Sequence, residues 1–421
     1  MNKVDLIKIA KALKNKIKRK PVHYVSYCRR IERVKTDKRI CAMTFDDGPT
    51  YDAEITKTLV ETLNEFNAVG TFDVIGTTEG NYPDVEGKVG TPTWSGTKYD
   101  HYPRFNADKT AGAVNCPDLI DMIISSGHEI TNHTYSHILF GKKNVIYSKR
   151  NTLSSFDKVY DDVKKLHEHL KNNHGYEMSF SRPPHYVDKI KGGFTSYDAY
   201  AKMGYQYLAA SFDGAGWLPC ESEEKEIEAM VEPLERALRE NPDALCGQII
   251  FQKDGYNMGL RAPVKEGLRR QLEVLGKYGY EVVGVSKLLE ESPFADIGRD
   301  DEDFEVFARL VKACAIAFND NTLRPDKEMT KGELAMLIAP REIAVDKRID
   351  NIKASARLPY GIKATHPYSS ALVWAINEGY FENTNATLSL DDVARCRDFF
   401  EVDKIKNLTR REIYKNLRQI F

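Results

Sequence analysis

Two adjacent carboxylates follow a short apolar run in this chain, and their position suits them to acid–base or metal chemistry. Asp46 and Asp47 come after the run at 40–45 and before a Gly-Pro pair, so a strand would end at the two side chains. Because neighbouring side chains on extended backbone point to opposite faces, one carboxylate could hold a cation while the other handles a proton. Taken alone, the same residues are also typical of a polar turn.

Two histidines four residues apart provide a second chemical element. His133 and His137 would direct both imidazoles to one side of a helical turn or a tight coil. Two neutral imidazoles and one carboxylate, with positions left for water and substrate, form a minimal hydrolytic metal site. The chain has ten histidines, so chance would explain this spacing alone. Since both elements follow apolar, strand-like runs, their combination favours a shared site.

These two elements together resemble the polysaccharide deacetylase family, also called carbohydrate esterase family 4 or the NodB homology domain. The resemblance rests on Thr-Phe-Asp-Asp-Gly-Pro at 44–49 and Asn-His-Thr-Tyr-Ser-His at 132–137, and it covers about residues 38–290. It implies a metal-dependent hydrolase that removes acetyl groups from N- or O-acetylated sugars.

The resemblance also assigns roles to the four side chains. Asp46 would be the general base. Asp47, His133 and His137 would hold one divalent metal ion, with zinc preferred and cobalt or nickel as alternatives. Such an ion acidifies water and polarises a carbonyl, while a neighbouring carboxylate accepts the proton of the attacking water. The expected substrate is therefore an acetylated glycan or sugar.

A third segment, Ser-Arg-Pro-Pro-His-Tyr at 181–186, resembles the family's Arg-Pro-Pro-Tyr-Gly. Arg182 would hold the catalytic aspartate, because a guanidinium orients a carboxylate bidentately and keeps it ionised. His185 and Tyr186 replace the usual Tyr-Gly pair and are expected to contact substrate, with a nearby backbone N–H facing the oxyanion. Without the other motifs, an ordinary extended loop would explain this segment.

A fourth segment, at 211–217, resembles the family's Asp-x-x-Asp-Trp motif. Asp213 matches the first, catalytic aspartate and Trp217 matches the tryptophan, whereas Gly216 replaces the second aspartate. Trp217 would stack on a sugar ring or on its acetyl methyl group. A half-buried core tryptophan is the alternative.

The fifth motif departs from the family pattern. Family members carry Leu-Leu-His-Asp, in which the histidine protonates the leaving group, and register from Gly247 and Asp254 puts Lys253 in that place. The pKa of lysine is about 10.4, so Lys253 would be a slow acid at neutral pH unless burial lowered that value. Either Lys253 is a tuned catalytic acid, another group such as His185 replaces it, or the domain is a metal-retaining, glycan-binding pseudoenzyme. Hydrolysis of a small non-peptide amide is a further alternative.

Strand-like and helix-like segments alternate between these motifs. The alternation predicts a parallel sheet with helices outside, open or closed into a barrel, and it puts the motifs at the carboxyl ends of the strands. The resemblance selects an α/β fold, a distorted (β/α)7 barrel, followed by a small, mostly helical C-terminal domain. One insertion, residues 77–115, carries aromatic residues among glycines and prolines, and it predicts either a wall of a glycan groove or a self-packed loop.

Domain boundaries follow from changes in sequence character. Residues 1–37 are predicted to be a basic helical extension, 38–290 the catalytic domain and 291–421 a helical accessory domain. The last region resembles two degenerate surface-layer homology modules, and its Thr330 and Glu333 are spaced as a helix capping box. The resemblance implies binding of a cell-wall polymer, with a structural cap or a dimerisation domain as the alternative.

The composition argues against some classes of protein but does not identify the function. The formal net charge is -1 over 421 residues, so no nucleic-acid partner is expected, and no run is long enough for a transmembrane segment. The seven cysteines include no Cys-x-x-Cys pair, which predicts reduced thiols. These thiols and the lack of a signal-peptide pattern predict a cytoplasmic protein, whereas the family resemblance predicts the cell wall or the exterior.

Overall fold

The structure of the chain is a computed structural model. It describes four ranges, residues 27–78, 110–145, 151–311 and 316–418. Residues 1–26, which make up most of the predicted basic helical extension, lie outside the described residues. So do residues 79–109, which hold most of the predicted aromatic insertion.

One sheet of nine strands forms the N-terminal part of the described chain. The strands are β1 (Arg30–Ile31), β2 (Ile40–Asp46), β3 (Thr71–Val74), β4 (Glu129–Asn132), β5 (Phe180–Ser181), β6 (Gln206–Leu208), β7 (Phe212–Asp213), β8 (Ile249–Lys253) and β9 (Glu281–Val282). They follow the order β1-β6-β5-β4-β3-β2-β8-β7, and β9 pairs with the start of β2. Every strand pair is parallel. Parallel neighbours need long crossovers, so helices separate most of the strands.

Seven helices of this region pack against the sheet. They are α1 (Ile55–Glu65), α2 (Pro117–Ser125), α3 (Phe156–His174), α4 (Ser196–Met203), α5 (Glu223–Glu240), α6 (Val264–Lys277) and α7 (Val285–Glu291). Local sequence explains where they begin and end. At the start of α3, Ser155 accepts a hydrogen bond from the N–H of Lys158, and Gly175 ends that helix with a φ of 65°. Apolar residues such as Val163 and Leu268 then join the buried cluster between helices and strands.

A separate buried cluster joins strands from both ends of the sheet, as the interior of a barrel does. Ile31 of β1, Phe180 of β5 and Ile249 of β8 belong to it. The N–H of Val34 also donates to the carbonyl of Gly247 at 2.8 Å, which links the segment after β1 to the segment before β8. Within the described ranges β1 and β7 do not pair with each other, so the barrel is incomplete. The predicted fold class, a distorted (β/α)7 barrel, is confirmed.

The first strand lies within the segment predicted to be a helical extension. Arg30 and Ile31 pair in parallel with Tyr207 and Leu208 of β6. The guanidinium of Arg30 lies 5.3 Å from the ring centre of Tyr207, and its Nε donates to Glu32 at 3.0 Å. A two-residue strand that contains a buried arginine has no apolar pattern. The sequence therefore indicates a later start for the sheet than the structure shows.

The strand register sets a row of polar side chains across four neighbouring strands. Lys253 pairs with Asp46, Asp46 with Asp73, and Asp73 with Thr131. All four residues are buried. They stand at or near the carboxyl ends of β8, β2, β3 and β4, where α/β folds build their sites.

The C-terminal region is helical and has its own buried cluster. Its helices are α8 (Phe304–Leu310), α9 (Lys331–Ile338), a π-helical segment (Glu342–Lys347), α10 (Arg348–Lys353), α11 (Ser369–Asn377), α12 (Leu390–Arg395) and α13 (Arg410–Lys415). Phe307, Leu334 and Phe400 belong to this cluster. Arg348 contacts Asp198 of α4, which joins the region to the barrel. No helix in the four described ranges is long and apolar enough to cross a membrane.

Arg411 connects three segments of this C-terminal region. Its guanidinium donates to both carboxylate oxygens of Asp301 at 2.9 and 3.0 Å, to Asp303 at 2.7 Å and to Asp326 at 2.9 Å. The hydrogen bonds from Arg411 lower the pKa of Asp301 below its ordinary value. The contact between Arg411 and Asp301 therefore contributes stability only while Asp301 is ionised.

We expect Arg411→Ala to lower the free energy of unfolding by about 1–2 kcal/mol at neutral pH, because partly buried, charged hydrogen bonds are lost. The folded pKa of Asp301 lies below about 3.9, so this contribution is complete above that pH and is lost as the pH falls through the folded value. Urea unfolding near pH 7 and near pH 2.5 should show the difference shrinking in acid. Arg309→Ala, on α8, is the matched control. A difference that is equal at both pH values would contradict the assignment.

Candidate functional site

Asp46 ends β2 and is held by a fully buried arginine. Nη1 of Arg182 contacts Asp46 Oδ1, while Nη2 donates to Thr44 Oγ1 at 3.0 Å and to the carbonyl of Ala209 at 3.2 Å. Burial raises the pKa of Asp46, although Arg182 and His133 act to lower it. The other oxygen of Asp46, Oδ2, lies 3.8 Å from His133 Nε2. The structure thus places Arg182 in contact with Asp46, and its orienting role in catalysis stays a prediction.

Asp47 turns toward the same pocket as Asp46. Its backbone is left-handed, with a φ of 80°, so the extended strand ends one residue earlier. Asp47 Oδ1 lies 3.2 Å from His133 Nε2 and 2.9 Å from His137 Nε2. The expectation that the two carboxylates point to opposite faces is therefore wrong, because strand alternation does not extend past Asp46.

The donor atoms of this group suit a divalent cation. His133 Nδ1 lies 2.9 Å from the carbonyl oxygen of Arg182. Because a carbonyl only accepts, Nδ1 carries the proton, and in the neutral ring Nε2 presents a lone pair to Asp47 Oδ1. These two atoms repel unless a proton or a metal ion lies between them. The ligand atoms of Asp47, His133 and His137 all lie within 4.8 Å of one another, and such mixed nitrogen and oxygen sets bind zinc and related ions.

The loop that carries both histidines is a tight coil held by β4 and α3. Thr134 and His137 both have left-handed backbone, with φ values of 76° and 53°. Asn132 accepts from the N–H of Thr134 and donates to the carbonyl of Val163, both at 2.9 Å. Asp162 Oδ1 accepts from the N–H groups of the two residues after Thr134, at 2.8 and 3.2 Å. These bonds fix the backbone between the two imidazoles.

Asp162→Ala is expected to lower the affinity for zinc about 10- to 100-fold, the usual effect of removing a group that orients metal ligands. Asp162→Asn keeps an oxygen at the same place and should retain most of the affinity. Competition with a chelator at equilibrium measures the change. Asp161→Ala removes the neighbouring, exposed carboxylate and is the matched control. Unchanged affinity in Asp162→Ala would show that the loop keeps its shape without this acceptor.

Lys253 lies beside the metal-binding residues at the end of β8. Its Nζ contacts Asp47 Oδ2, whereas Asp47 Oδ1 faces the two histidines. Burial lowers the pKa of Lys253 to about 7, against the opposing effects of Asp46 and Asp254. Burial also raises the pKa of Asp254 to about 7, although a hydrogen bond from Thr56 opposes this. The structure thus brings Lys253 to the site that its sequence register predicts.

Asp254 and Thr56 support the turn that follows Asp47. Thr56 Oγ1 donates to Asp254 Oδ1 at 2.7 Å and accepts from the N–H of Thr50 at 2.8 Å. A Cβ atom at Gly48 would lie 1.8 Å from Asp254 Oδ2. The Gly-Pro turn therefore requires glycine because it packs directly on a buried carboxylate.

His185 lies next to His137, in a 3₁₀ turn at Pro184–Tyr186. Its backbone is left-handed, with a φ of 53°. Its ring centre lies 5.7 Å from that of His137. Both predicted alternatives for the catalytic acid, Lys253 and His185, thus lie next to metal-binding side chains.

Tyr186 packs behind the site, next to Arg182. Its ring centre lies 5.6 Å from the guanidinium carbon of Arg182, and it stacks with Tyr207 at 6.5 Å. Burial raises its pKa. The N–H of Tyr186 donates to the carbonyl of Pro183 at 2.9 Å, so this N–H is already engaged within the turn. The predicted contact between Tyr186 and substrate stays a prediction.

Asp213 and Trp217 contact each other at the edge strand β7. The indole N–H of Trp217 donates to Asp213 Oδ1 at 3.0 Å, and the N–H of Ala215 donates to the same oxygen at 2.9 Å. Asp213 is exposed and Trp217 is half-buried. The carboxylate thus fixes the orientation of the indole. The predicted roles of Asp213 in catalysis and of Trp217 in sugar stacking stay predictions.

Three residues of the site have no counterpart among the sequence predictions, Asp73, Thr131 and Asp162. Asp73 is a charged residue within the buried strand Thr71–Val74. A charged residue inside a strand-like run is the sequence signal by which it could have been identified. Asp162 is one of many charged residues on α3, so no pattern in the sequence distinguishes it.

Residues 33–208 match the sequence profile of a family described as Polysaccharide deacetylase. The matched range includes the metal-binding residues and ends with β6, before Asp213 and Lys253. A Peptidoglycan-N-acetylglucosamine deacetylase of Bacillus cereus is 28% identical over 149 residues, which are 35% of this chain and 37% of that protein. A second protein of that name from the same organism is 26% identical over 275 residues, 64% of this chain and 94% of that protein.

A similarity in structure was found with BA3943 of Bacillus anthracis, described as a CE4 family pseudoenzyme. The two chains are 15% identical, and the TM-score is 0.41. The alignment covers 62% of this chain and 68% of that chain. Compared with the two B. cereus relatives, this chain spans little more than a third of the length of the first and most of the length of the second.

Proposed function

We propose that this chain, in which residues 33–208 form a polysaccharide deacetylase domain, is a metal-dependent hydrolase that removes acetyl groups from a glycan. One observation carries the proposal: the ligand atoms of Asp47 and the two histidines converge beside Asp46. The two B. cereus relatives are named peptidoglycan-N-acetylglucosamine deacetylases, which supports an N-acetylated wall glycan as the substrate class.

The metal-binding group and the base would divide the chemistry between them. A divalent ion held by Asp47, His133 and His137 supplies a Lewis acid and lowers the pKa of water when bound. Asp46 accepts the proton of the attacking water at Oδ2. Arg182 holds the other oxygen of Asp46, so the carboxylate stays aimed at the pocket.

Lys253 is the proposed proton donor to the leaving amine or alkoxide. Its Nζ contacts Asp47 Oδ2, on the side of that carboxylate away from the histidine-facing oxygen. A buried ammonium at this place gives up a proton more readily than an exposed lysine does, because burial disfavours its charge. His185 lies within reach of the same pocket and is the alternative donor.

The test is acetate release by the purified chain from N-acetylglucosamine oligomers and from O-acetylated xylan. Activity should disappear with a chelator and return with zinc, cobalt or nickel, and the two substrates distinguish N- from O-deacetylation. A small acetylated amide is the third substrate. Failure of wild type on all acetylated glycans, with every metal, would overturn the proposed activity.

A metal-retaining, glycan-binding pseudoenzyme is the second candidate, and Lys253 is the observation that favours it. Lysine replaces the family's histidine, and its contact with Asp47 would compete with a role in proton transfer. Such a protein would bind metal and glycan without releasing acetate.

We expect Lys253→Ala to lower kcat about 10²–10⁴-fold, the range that general acid catalysis contributes. Lys253→His should retain measurable turnover, because it restores the histidine of the family pattern. Acetate release under saturating substrate checks both variants. Lys265→Ala, which removes a half-buried lysine whose Nζ donates to the carbonyl of Ala53, is the matched control. Full activity in Lys253→Ala would show that Lys253 does not act in catalysis and would leave His185 as the candidate proton donor.

A cell-wall polymer is the proposed partner of the C-terminal region. Helices α9 and α12 begin with the same reciprocal cap, formed by Thr330 with Glu333 and by Ser389 with Asp392. Thr330 also forms an antiparallel bridge with Thr387, so the two helix starts lie side by side. This repetition supports two related modules. Co-sedimentation of the full chain with purified cell walls, with and without their secondary polymer, would separate wall binding from a structural or dimerisation role.

The proposed substrate and the cysteines point to different localisations. A wall glycan would require the protein at the cell surface. The six cysteines in the described ranges are free thiols, which favours a reducing compartment. Cell fractionation followed by immunodetection would decide between the two.

A further inference from the structure

Asp73 is a fully buried carboxylate on the side of His133 that faces away from Asp47. It lies on β3, in register with Asp46 on one side and Thr131 on the other. Its Oδ1 accepts a hydrogen bond from Thr131 Oγ1 at 2.7 Å. Its Oδ2 lies 3.1 Å from His133 Nδ1 and 3.7 Å from Nε of Arg182.

Burial of an ionised carboxylate such as this one lowers the stability of the fold unless positive charge lies nearby. Among the described residues Asp73 Oδ2 has no hydrogen-bond partner of regular geometry, and an isolated buried carboxylate costs several kcal/mol. Nε of Arg182 lies 3.7 Å from Asp73 Oδ2, and a divalent ion at the adjoining ligand group would add further positive charge nearby.

A second metal ion does not explain Asp73. The ligand atoms of Asp46, Asp73 and His133 also lie within 4.8 Å of one another. However, the guanidinium of Arg182 contacts both carboxylates, so a cation already stands between them. His133 Nδ1 faces a carbonyl oxygen at 2.9 Å and must donate to it, which removes that nitrogen as a ligand.

The two oxygens at Nδ1 act on the opposite nitrogen of the ring. The carbonyl of Arg182 and the carboxylate of Asp73 both attract the Nδ1 proton, so the ring keeps the tautomer with its lone pair on Nε2. This is the nitrogen that faces Asp47 Oδ1 at 3.2 Å. Carboxylates in this position orient metal-binding histidines and strengthen them as donors.

We propose that Asp73 is a positioning residue that holds His133 with Nδ1 protonated and Nε2 directed at the metal, while Thr131 holds Asp73. The inference rests on the proposed metal-dependent function, because it concerns the binding of that metal. Asp73 is then a further carboxylate of the site, distinct from the proposed base and from the three proposed metal ligands.

The test measures metal binding rather than turnover. Wild type, Asp73→Asn and Thr131→Val are titrated with zinc against a chelator, and their cobalt forms are compared by visible absorption. We expect Asp73→Asn to bind zinc about 10- to 100-fold more weakly. The cobalt bands should also change, because the neutral amide removes the negative charge that strengthens Nε2 as a donor. Thr131→Val keeps the carboxylate and should weaken binding by a smaller factor in the same direction.

Asp392→Asn is the matched control, because Asp392 is also a buried carboxylate that accepts a hydroxyl hydrogen bond at 2.7 Å, from Ser389. It should bind zinc as wild type does. Equal zinc affinity and equal cobalt spectra in wild type and Asp73→Asn would overturn the inference. If Asp73→Asn does not fold, Thr131→Val decides: unchanged affinity in that variant would also overturn it. Wild type that binds no metal at all would instead refute the proposed function.

Discussion

Asp46→Asn is expected to lower kcat/KM for acetate release about 10²–10⁴-fold while leaving metal binding nearly unchanged. The amide keeps the shape of the side chain but cannot accept a proton from water. Asp46 contacts Arg182 through Oδ1, and the metal-binding group is formed by other side chains, so the ion should stay. Steady-state acetate release and zinc titration on the same preparation check both parts.

The control for Asp46→Asn is Asp392→Asn, at a buried carboxylate of the C-terminal region, which should keep full activity. Thermal unfolding of the metal-free proteins shows whether the uncharged residue has disturbed the contact with Arg182. Retention of wild-type kcat/KM in folded Asp46→Asn would refute its role as the base. Loss of zinc from that variant would instead mean that Asp46 belongs to the ligand group.

His137→Ala should bind zinc far more weakly than wild type, with a loss larger than the about 10- to 100-fold typical of supporting residues. Its Nε2 lies 2.9 Å from Asp47 Oδ1 and is one of three donors that converge, so its removal leaves two. Acetate release should fall with metal occupancy and should recover only in part at high zinc concentration. Chelator competition and acetate assays over a range of zinc concentrations measure the two effects.

His185→Ala is the matched variant for His137→Ala. Its ring lies 5.7 Å from the ring of His137, so it removes an imidazole from the same pocket without removing a proposed ligand. Zinc affinity should remain close to that of wild type, whatever happens to turnover. If both alanine variants lose zinc equally, or if His137→Ala binds as tightly as wild type, the assignment of ligands is incorrect.

The strands and their parallel pairing were predictable because they depend on local patterns, whereas the closure into a distorted barrel followed from the family resemblance. Apolar runs bounded by turns predict strands at the motifs, and their alternation with amphipathic segments predicts parallel pairing. The two-residue strand at Arg30–Ile31 was not predictable, because its arginine is stabilised by Tyr207, a residue 177 positions away in sequence from Arg30. Short strands of this kind are stabilised by tertiary contacts and not by a pattern in their own sequence.

The sequence by itself determined which residue types the site contains. Motif spacing indicates Asp46, Asp47 and the two histidines, and the family resemblance adds the lysine that stands where the family has histidine. The sequence also placed them at strand ends, where a parallel sheet collects side chains from distant parts of the chain.

Only the tertiary structure decided how these side chains are paired. Lys253 contacts Asp47 across 206 positions of sequence, and the left-handed backbone at Asp47 turns that carboxylate into the pocket. Asp73 reaches the far side of His133 because strand register sets β3 beside β4. Sequence patterns report burial and periodicity, whereas hydrogen-bond partners depend on register and on single backbone angles. The residue types of the site could therefore be predicted from the sequence, but the hydrogen-bond and ion-pair partner of each charged side chain could not.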